Sequence, residues 1–166
     1  MINLRLIYKI IGSLLFIEAM MLMVCLGVSV YYHEDDLVSF VCSVAISAGT
    51  GLVLRLLGRK CDNTLSRRDA YLVVTLTWMV FSLFGTLPFL IGGYLHSFTD
   101  AFFETMSGFT TTGASIIDNV EALPHGIMFW RSFTQWLGGL GIVFFTIALL
   151  PSLVGGSVKV FAAEAT

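Results

Sequence analysis

Charged residues are almost absent from four long stretches of the chain, which cover about residues 10–32, 37–54, 70–95 and 127–150. The first stretch contains a single acid, Glu18, and the fourth contains a single base, Arg131. A helix needs roughly 20 apolar residues to cross a bilayer core of about 30 Å. The pattern therefore predicts four membrane-spanning helices, joined by short segments that hold most of the charged residues.

The composition excludes several classes of protein. Hydrophobic residues make up 57% of the 166 residues and charged residues only 12%, whereas a soluble domain is roughly a quarter charged. The net charge of -2 gives no electrostatic footprint for nucleic acid. The cysteines and histidines are widely spaced, and we find no nucleophile–base set or phosphate-binding loop, so we expect neither a cofactor nor an enzyme. The expected fold class is an all-α polytopic membrane protein in a lipid bilayer.

Lysine and arginine fall on one side of the predicted spans. Eight of the nine precede the first span, lie between the second and third, or follow the fourth: Arg5, Lys9, Arg55, Arg59, Lys60, Arg67, Arg68 and Lys159. Because basic loops stay in the cytoplasm, we expect both termini inside. Arg131 is the exception, and we expect it to snorkel outward or to pair with an acid of the outer loop.

A short apolar segment between the third and fourth spans carries the candidate chemistry. Residues 99–109 are too apolar for a solvated loop and too few to cross the membrane, which is typical of a re-entrant helix. Such a helix directs its negative C-terminal end toward the bilayer interior, where it stabilises a desolvated cation. Phe98, Phe102, Met106 and Phe109 recur at helical spacing and predict its packing face.

The residues that follow this helix predict a cation filter over residues 110–114. Four of them offer successive backbone carbonyls and three hydroxyls: Thr110, Thr111, Thr112 and Gly113. Hard oxygen ligands of this kind can replace the hydration shell of an alkali ion. Gly113 leaves the backbone free to adopt a positive φ. Phe109 and Ala114 flank the four residues and are expected to support them.

Glycines of the fourth span are also candidates for supporting the filter. Gly138, Gly139 and Gly141 follow Trp136 closely. Residues without side chains let a neighbouring backbone come close, so we expect the pore helix or the filter to lie against them. A hinge that gates the pore is the alternative interpretation.

Small and polar residues of the first three spans are interpreted as structural. Ser43, Ser47 and Gly51 repeat every four residues and predict close helix packing. Glu18 is costly in lipid, so we expect it to face protein or water, with a hydroxyl partner favoured over a role in proton or ion coupling. Pro88 predicts a kink in the third span or its end.

The residues from Asp69 to about Glu164 resemble the first pore unit of the bacterial Trk/Ktr potassium-uptake proteins, in the TrkH-like group. The phrases DAFFETMSGFTTTGAS and FWRSFTQWLGGLGIVFF carry this resemblance. It implies a helix pair over residues 1–66, and a span–pore-helix–span unit over residues 67–166 with Gly113 as the filter glycine. It also implies potassium as the transported ion, the bacterial inner membrane, a homodimer, and a cytoplasmic nucleotide-binding regulatory subunit of the TrkA type.

The number of pore units differs from this group. Its members carry four units around one pore, whereas this sequence ends at Thr166 after one. We therefore expect a truncated piece of such a protein, whose other filter strands come from further pore units or from copies of the chain. A non-conducting membrane interaction or regulatory module is the alternative function, and a non-functional fragment is a third.

Overall fold

The computed structural model describes residues 3–59 and 67–143, and within these ranges the regular structure is helical without any β-strand. The elements in chain order are α1 (Leu4–Tyr32), α2 (Leu37–Leu57), α3 (Arg67–Gly85), α4 (Leu87–Ile91), α5 (Phe98–Phe109), a 3-10 helix (Val120–Ala122) and α6 over residues 125–143.

Three helices of the described ranges are long and apolar enough to cross a membrane: Leu4–Tyr32, Leu37–Leu57 and Arg68–Ile91, which spans α3 and α4. The predicted all-α membrane fold is confirmed. Residues 144–150 of the predicted fourth span lie outside the described residues, as do Lys60 and Lys159, which contributed to the predicted orientation.

The hairpin of α1 and α2 is packed through small residues. A Cβ atom added at Gly51 would lie 2.9 Å from the backbone oxygen of Gly12, and one added at Gly12 would lie 2.7 Å from that of Gly51. Ser43 and Ser47 are buried on the same face of α2, so the predicted packing stripe is confirmed. Glu18 is fully buried and faces protein, as expected. Among the described residues its carboxylate oxygens meet no hydrogen-bond donor, so the expected hydroxyl partner is not found there.

The third span is broken at Thr86. α3 ends at Gly85, and α4 begins two residues later with Pro88 in its first turn. The N–H of Phe89 donates to the carbonyl oxygen of Thr86 at 3.1 Å, which frees the carbonyl of Gly85 from the helix. The indole N–H of Trp130 donates to that carbonyl at 3.0 Å. The interruption predicted from Pro88 therefore also provides an attachment point for α6.

The third span also ends earlier than the hydrophobic pattern predicts, at Ile91 rather than near residue 95. Gly93 has a φ of 71°, a left-handed conformation that glycine adopts without strain. Tyr94 and Leu95 pack against the buried core as part of the link to α5. The apolar pattern outlasts the helix because this link is itself covered by protein.

The helix α5 lies against the break in the third span and against α6. A Cβ atom at Gly85 would lie 2.5 Å from the side chain of Thr105 and 3.2 Å from the ring of Phe109, so this glycine makes room for α5. Phe109 is buried as predicted, and its ring meets that of Trp130 edge to face at 6.2 Å. Phe102 and Met106 are half-buried, whereas Phe98 is 53% exposed, so the predicted packing face is wrong at Phe98. The helix instead buries mostly small and polar residues: Ala101, Glu104, Thr105, Ser107 and Phe109.

An ion pair joins the turn between α1 and α2 to the start of α6. One carboxylate oxygen of Glu34 accepts from the backbone N–H of His125 at 2.6 Å, and the other lies 2.7 Å from His125 Nδ1. The imidazole ring stacks on Tyr32 with centroids 4.0 Å apart. Burial raises the pKa of Glu34, but the hydrogen bonds from His125 and its charge outweigh this, so the net pKa is lowered. The N-terminal helix pair is thus tied to the pore unit.

Candidate functional site

α5 ends in a turn that places a β-branched residue in a conformation favoured by glycine. The N–H of Thr111 donates to the carbonyl oxygen of Gly108 at 2.9 Å, and that of Thr112 donates to Ser107 at 3.0 Å. These two bonds form a Schellman motif, in which the first residue after the helix C-cap has a left-handed conformation. Thr111 accordingly has a φ of 57°. Such a conformation costs of order 1–3 kcal/mol and persists only where its surroundings determine it.

The backbone oxygens of residues 110–113 form a row at the end of this turn. Thr111 and Gly113 have positive φ values, 57° and 75°, whereas Thr110 and Thr112 do not. Among the described residues, none of these four oxygens accepts a hydrogen bond, and all four residues are exposed on the chain. The four predicted filter residues are therefore exposed, and their carbonyl oxygens are not used in hydrogen bonds within the described residues.

The threonine hydroxyls hold the segment to α5. The hydroxyl of Thr110 donates to the carbonyl oxygen of Met106 at 2.7 Å, and its oxygen lies 2.9 Å from that of Thr112. The hydrogen of Thr110 is committed to the helix, so this group can meet a cation only with its lone pairs.

Ala114 marks the end of the row. Its carbonyl oxygen accepts from the hydroxyl of Ser107 at 2.6 Å, so it points toward α5. Behind the segment, a Cβ atom at Gly113 would lie 3.2 Å from the side-chain nitrogen of Gln135 on α6. Ser107, Gly113 and Gln135 line a small cavity of about 60 Å³ there.

The three candidate glycines of α6 have different surroundings. A Cβ atom at Gly138 would overlap the carbonyl group of Phe109, so α6 touches the end of the pore helix at this residue. A Cβ atom at Gly141 would lie 3.1 Å from the ring of Trp78 on α3. One at Gly139 would meet no other atom of the described residues within 4 Å. Support of the filter by Gly139 and Gly141 stays a prediction.

A charged network lies behind the segment that follows the filter. Arg131 donates from Nε to Oε1 of Glu104 at 2.6 Å and from a terminal nitrogen to the hydroxyl of Ser115 at 3.1 Å. That hydroxyl donates to Glu104 at 3.1 Å, and the backbone N–H of Ile116 donates to Glu104 Oε2 at 3.0 Å. The network links α5, α6 and residues 115–116.

The sequence reasoning identified one half of this network. Arg131 was predicted to snorkel or to pair with an acid of the segment between the third and fourth spans, and it pairs with one of those acids, Glu104 on α5. The roles of Glu104, Ser107 and Ser115 were not predicted. A signal was present, because one acid and one base stand in two adjoining apolar segments, and charges in such segments need partners.

Membrane-spanning helices that hold a short re-entrant helix and a row of oxygens define an integral membrane protein of the pore-loop class. The sequence profile described as TrkH, a cation transport protein, matches residues 38–166. The chain belongs to the TrkH family of cation transport proteins.

Individual relatives agree with this assignment. The chain is 37% identical to the Trk system potassium uptake protein TrkH of Halomonas elongata over 163 residues, 98% of this chain and 34% of that protein. It is 34% identical to TrkH of Escherichia coli K12 over 161 residues, 96% of the chain and 33% of the relative. The crystal structure of the potassium transporter TrkH from Vibrio parahaemolyticus matches with a TM-score of 0.83 and 38% identity, over 89% of this chain and 32% of that one.

The chain spans about a third of the length of the curated relatives it matches. Those relatives are transport proteins rather than enzymes, as expected from the sequence. The chain is a membrane protein, as its family and its three long apolar helices indicate.

Proposed function

We propose that this chain contributes one filter strand to a potassium-uptake pore. The observation that carries the proposal is the row of four backbone oxygens at residues 110–113, which follows the negative C-terminal end of α5. Potassium needs several such hard oxygens in place of its hydration shell. The names of the relatives, potassium uptake proteins, support potassium as the ion.

One strand is a quarter of a filter, since a potassium filter is a ring of four carbonyl-bearing loops. Further pore units or further copies of the chain supply the other three strands. The exposure of residues 110–113 supports this, because surfaces that are open on this chain are available to other pore units or copies. The proposal includes a bacterial inner-membrane location, cytoplasmic termini, a homodimer and a TrkA-type regulatory subunit.

The test is Gly113→Asp in the complete gene product that contains residues 1–166. Aspartate tolerates a positive φ better than most residues, so the chain still inserts, but its side chain crowds Gln135 behind the segment, where a Cβ atom lies 3.2 Å from the side-chain nitrogen, and shifts the backbone of the filter. We expect rubidium uptake by a potassium-uptake-deficient bacterium to fall by at least about ten-fold, or about 1.4 kcal/mol, with normal amounts of protein in the membrane.

Gly93→Asp is the matched control, because Gly93 also has a positive φ, 71°, and a Cβ atom there has open space. Uptake should be unchanged in this variant. Unchanged rubidium flux and ion preference in Gly113→Asp, with the protein in the membrane, would refute the filter assignment and favour a non-conducting module. If Gly113→Asp does not insert, Gly113→Ser is measured in the same way.

A further inference from the structure

Two opposite charges lie on the buried side of the filter segment. The side chain of Glu104 is 4% exposed and that of Arg131 is 20% exposed. Both touch Ser115, which follows the row of oxygens by two residues. The carboxylate and the guanidinium are 2.6 Å apart, so their charges cancel close to the point where a cation would bind.

Each charge alone would act strongly on a cation in the row. A unit charge that is shielded from water keeps a long reach, because the effective dielectric constant there is far below that of water. An unbalanced arginine would repel a cation from the carbonyl oxygens, whereas an unbalanced carboxylate would attract it. Glu104 accepts only from Arg131, Ser115 and the backbone of Ile116, so Arg131 is the cation that balances it within the described chain.

The same bonds fix the backbone after the filter. Glu104 binds the N–H of Ile116 and the hydroxyl of Ser115, while Ser107 on the same helix face holds the carbonyl of Ala114. Three consecutive residues after the row are thereby tied to α5. A change of charge in the pair therefore acts on the filter through a rigid connection as well as through its field.

We propose that Glu104 and Arg131 are positioning residues for the filter, and that their mutual neutralisation sets the concentration of potassium at which uptake is half-saturated. The proposal rests on the proposed function, since it requires residues 110–113 to bind the transported ion. Glu104 neutralises the charge of Arg131 beside the ion path, and Arg131 orients Glu104 toward Ser115 and Ile116.

The test is a double-mutant cycle in the complete gene product, with rubidium uptake measured over a range of rubidium concentrations. Glu104→Gln leaves the arginine charge uncompensated. We expect the half-saturating concentration to rise on the order of ten-fold, the effect of one unit charge at about 10 Å with an effective dielectric constant of about 20. Arg131→Gln should leave the half-saturating concentration unchanged or lower it. The double variant Glu104→Gln/Arg131→Gln, which is neutral again, should return to within about two-fold of the original.

Asp118→Asn is the control, because it removes a charge from an exposed residue of the same loop, where water screens it. A purely structural role predicts the opposite pattern, in which both single variants lose maximal uptake alike and the double variant is at least as poor. That pattern, or unchanged half-saturation in Glu104→Gln, overturns the inference. The filter assignment is judged separately, by Gly113→Asp, so either proposal can fail without the other.

Discussion

At the scale of single residues, Thr111 is the position where the structure departs most from local preference. A β-branched side chain occupies the left-handed position of a helix-ending turn, with a φ of 57°, where glycine is the usual residue. The strain is held by the bonds of the turn to Gly108 and Ser107. Backbone strain of this kind concentrates at functional sites, and Thr111 lies among the four residues of the proposed filter.

Thr111→Gly should therefore stabilise the fold and weaken the filter. Removing the side chain relieves about 1–2 kcal/mol of strain, so the purified protein in detergent should melt at a higher temperature. The segment also becomes more flexible, so the preference for rubidium over sodium should fall. Thr111→Val is the matched variant, since it keeps the branched shape and loses only the hydroxyl. The interpretation fails if the glycine variant melts no higher than the valine variant.

The residues of the site differ in how far the sequence could specify them. The residue type showed that Gly113 could adopt a positive φ without strain, and it does so with a φ of 75°. The positive φ of Thr111 did not follow from the residue type, because three identical threonines give no sign of which one lies at the left-handed position. That position is fixed by the end of α5 at Phe109. The partner of Arg131 was also open, since choosing Glu104 over other acids needs the three-dimensional path of α5.

At the scale of helices, the contact between α1 and α2 depends on two glycines that face each other. Gly51→Val should push the helices apart, because its Cβ atom would lie 2.9 Å from the backbone oxygen of Gly12, which cannot rotate away. Overpacking of this kind costs about 1–3 kcal/mol. We expect a lower melting temperature for the purified protein and less protein in the membrane.

Gly49→Val provides the control for this prediction. It makes the same substitution two residues earlier in the same helix, where a Cβ atom would meet nothing within 4 Å. Equal effects of the two variants would mean that helix propensity, rather than the contact with Gly12, determines the loss.

The helices themselves follow from the hydrophobic pattern, whereas their irregularities and contact faces follow less well. Pro88 predicted an interruption, but the exact break at Thr86 depends on which carbonyls find other donors. The buried face of α5 was misjudged at Phe98, which the aromatic spacing favours, and the neighbouring helices leave room for small and polar residues such as Ala101 and Thr105. In a membrane protein, hydrophobicity does not separate lipid-facing from protein-facing positions.

At the scale of the whole molecule, the Glu34–His125 pair ties the N-terminal helix hairpin to the pore unit. The pKa of Glu34 is lowered from its ordinary value of 4.5. The stability that this acid contributes is therefore fully present above pH 4.5 and is lost as the pH falls through the lowered pKa. Glu34→Gln should melt at a lower temperature than the original protein near neutral pH. This difference should shrink as the pH is lowered below 4.5.

Thermal unfolding of both proteins in detergent over a series of pH values measures this difference. Glu121→Gln is the control, because Glu121 is an exposed acid of the 3-10 helix between α5 and α6 and its removal should leave the melting temperature nearly unchanged at every pH. A difference between Glu34→Gln and the original protein that stays constant on acidification would contradict a role for the ionised carboxylate.

The bond from Trp130 to the carbonyl of Gly85 also bears on how the protein is made. The two residues are 45 positions apart, and a chain is synthesised from its N-terminus, so the residues of the helix break leave the ribosome before Trp130 does. During that interval the released carbonyl has no indole to bind, and an unsatisfied carbonyl in hydrocarbon is costly. The third span should therefore enter the bilayer as a straight helix, or wait beside the insertion machinery, and bend only when α6 arrives. The pore unit would then reach its final fold in the membrane only after its last helix, α6, has been inserted.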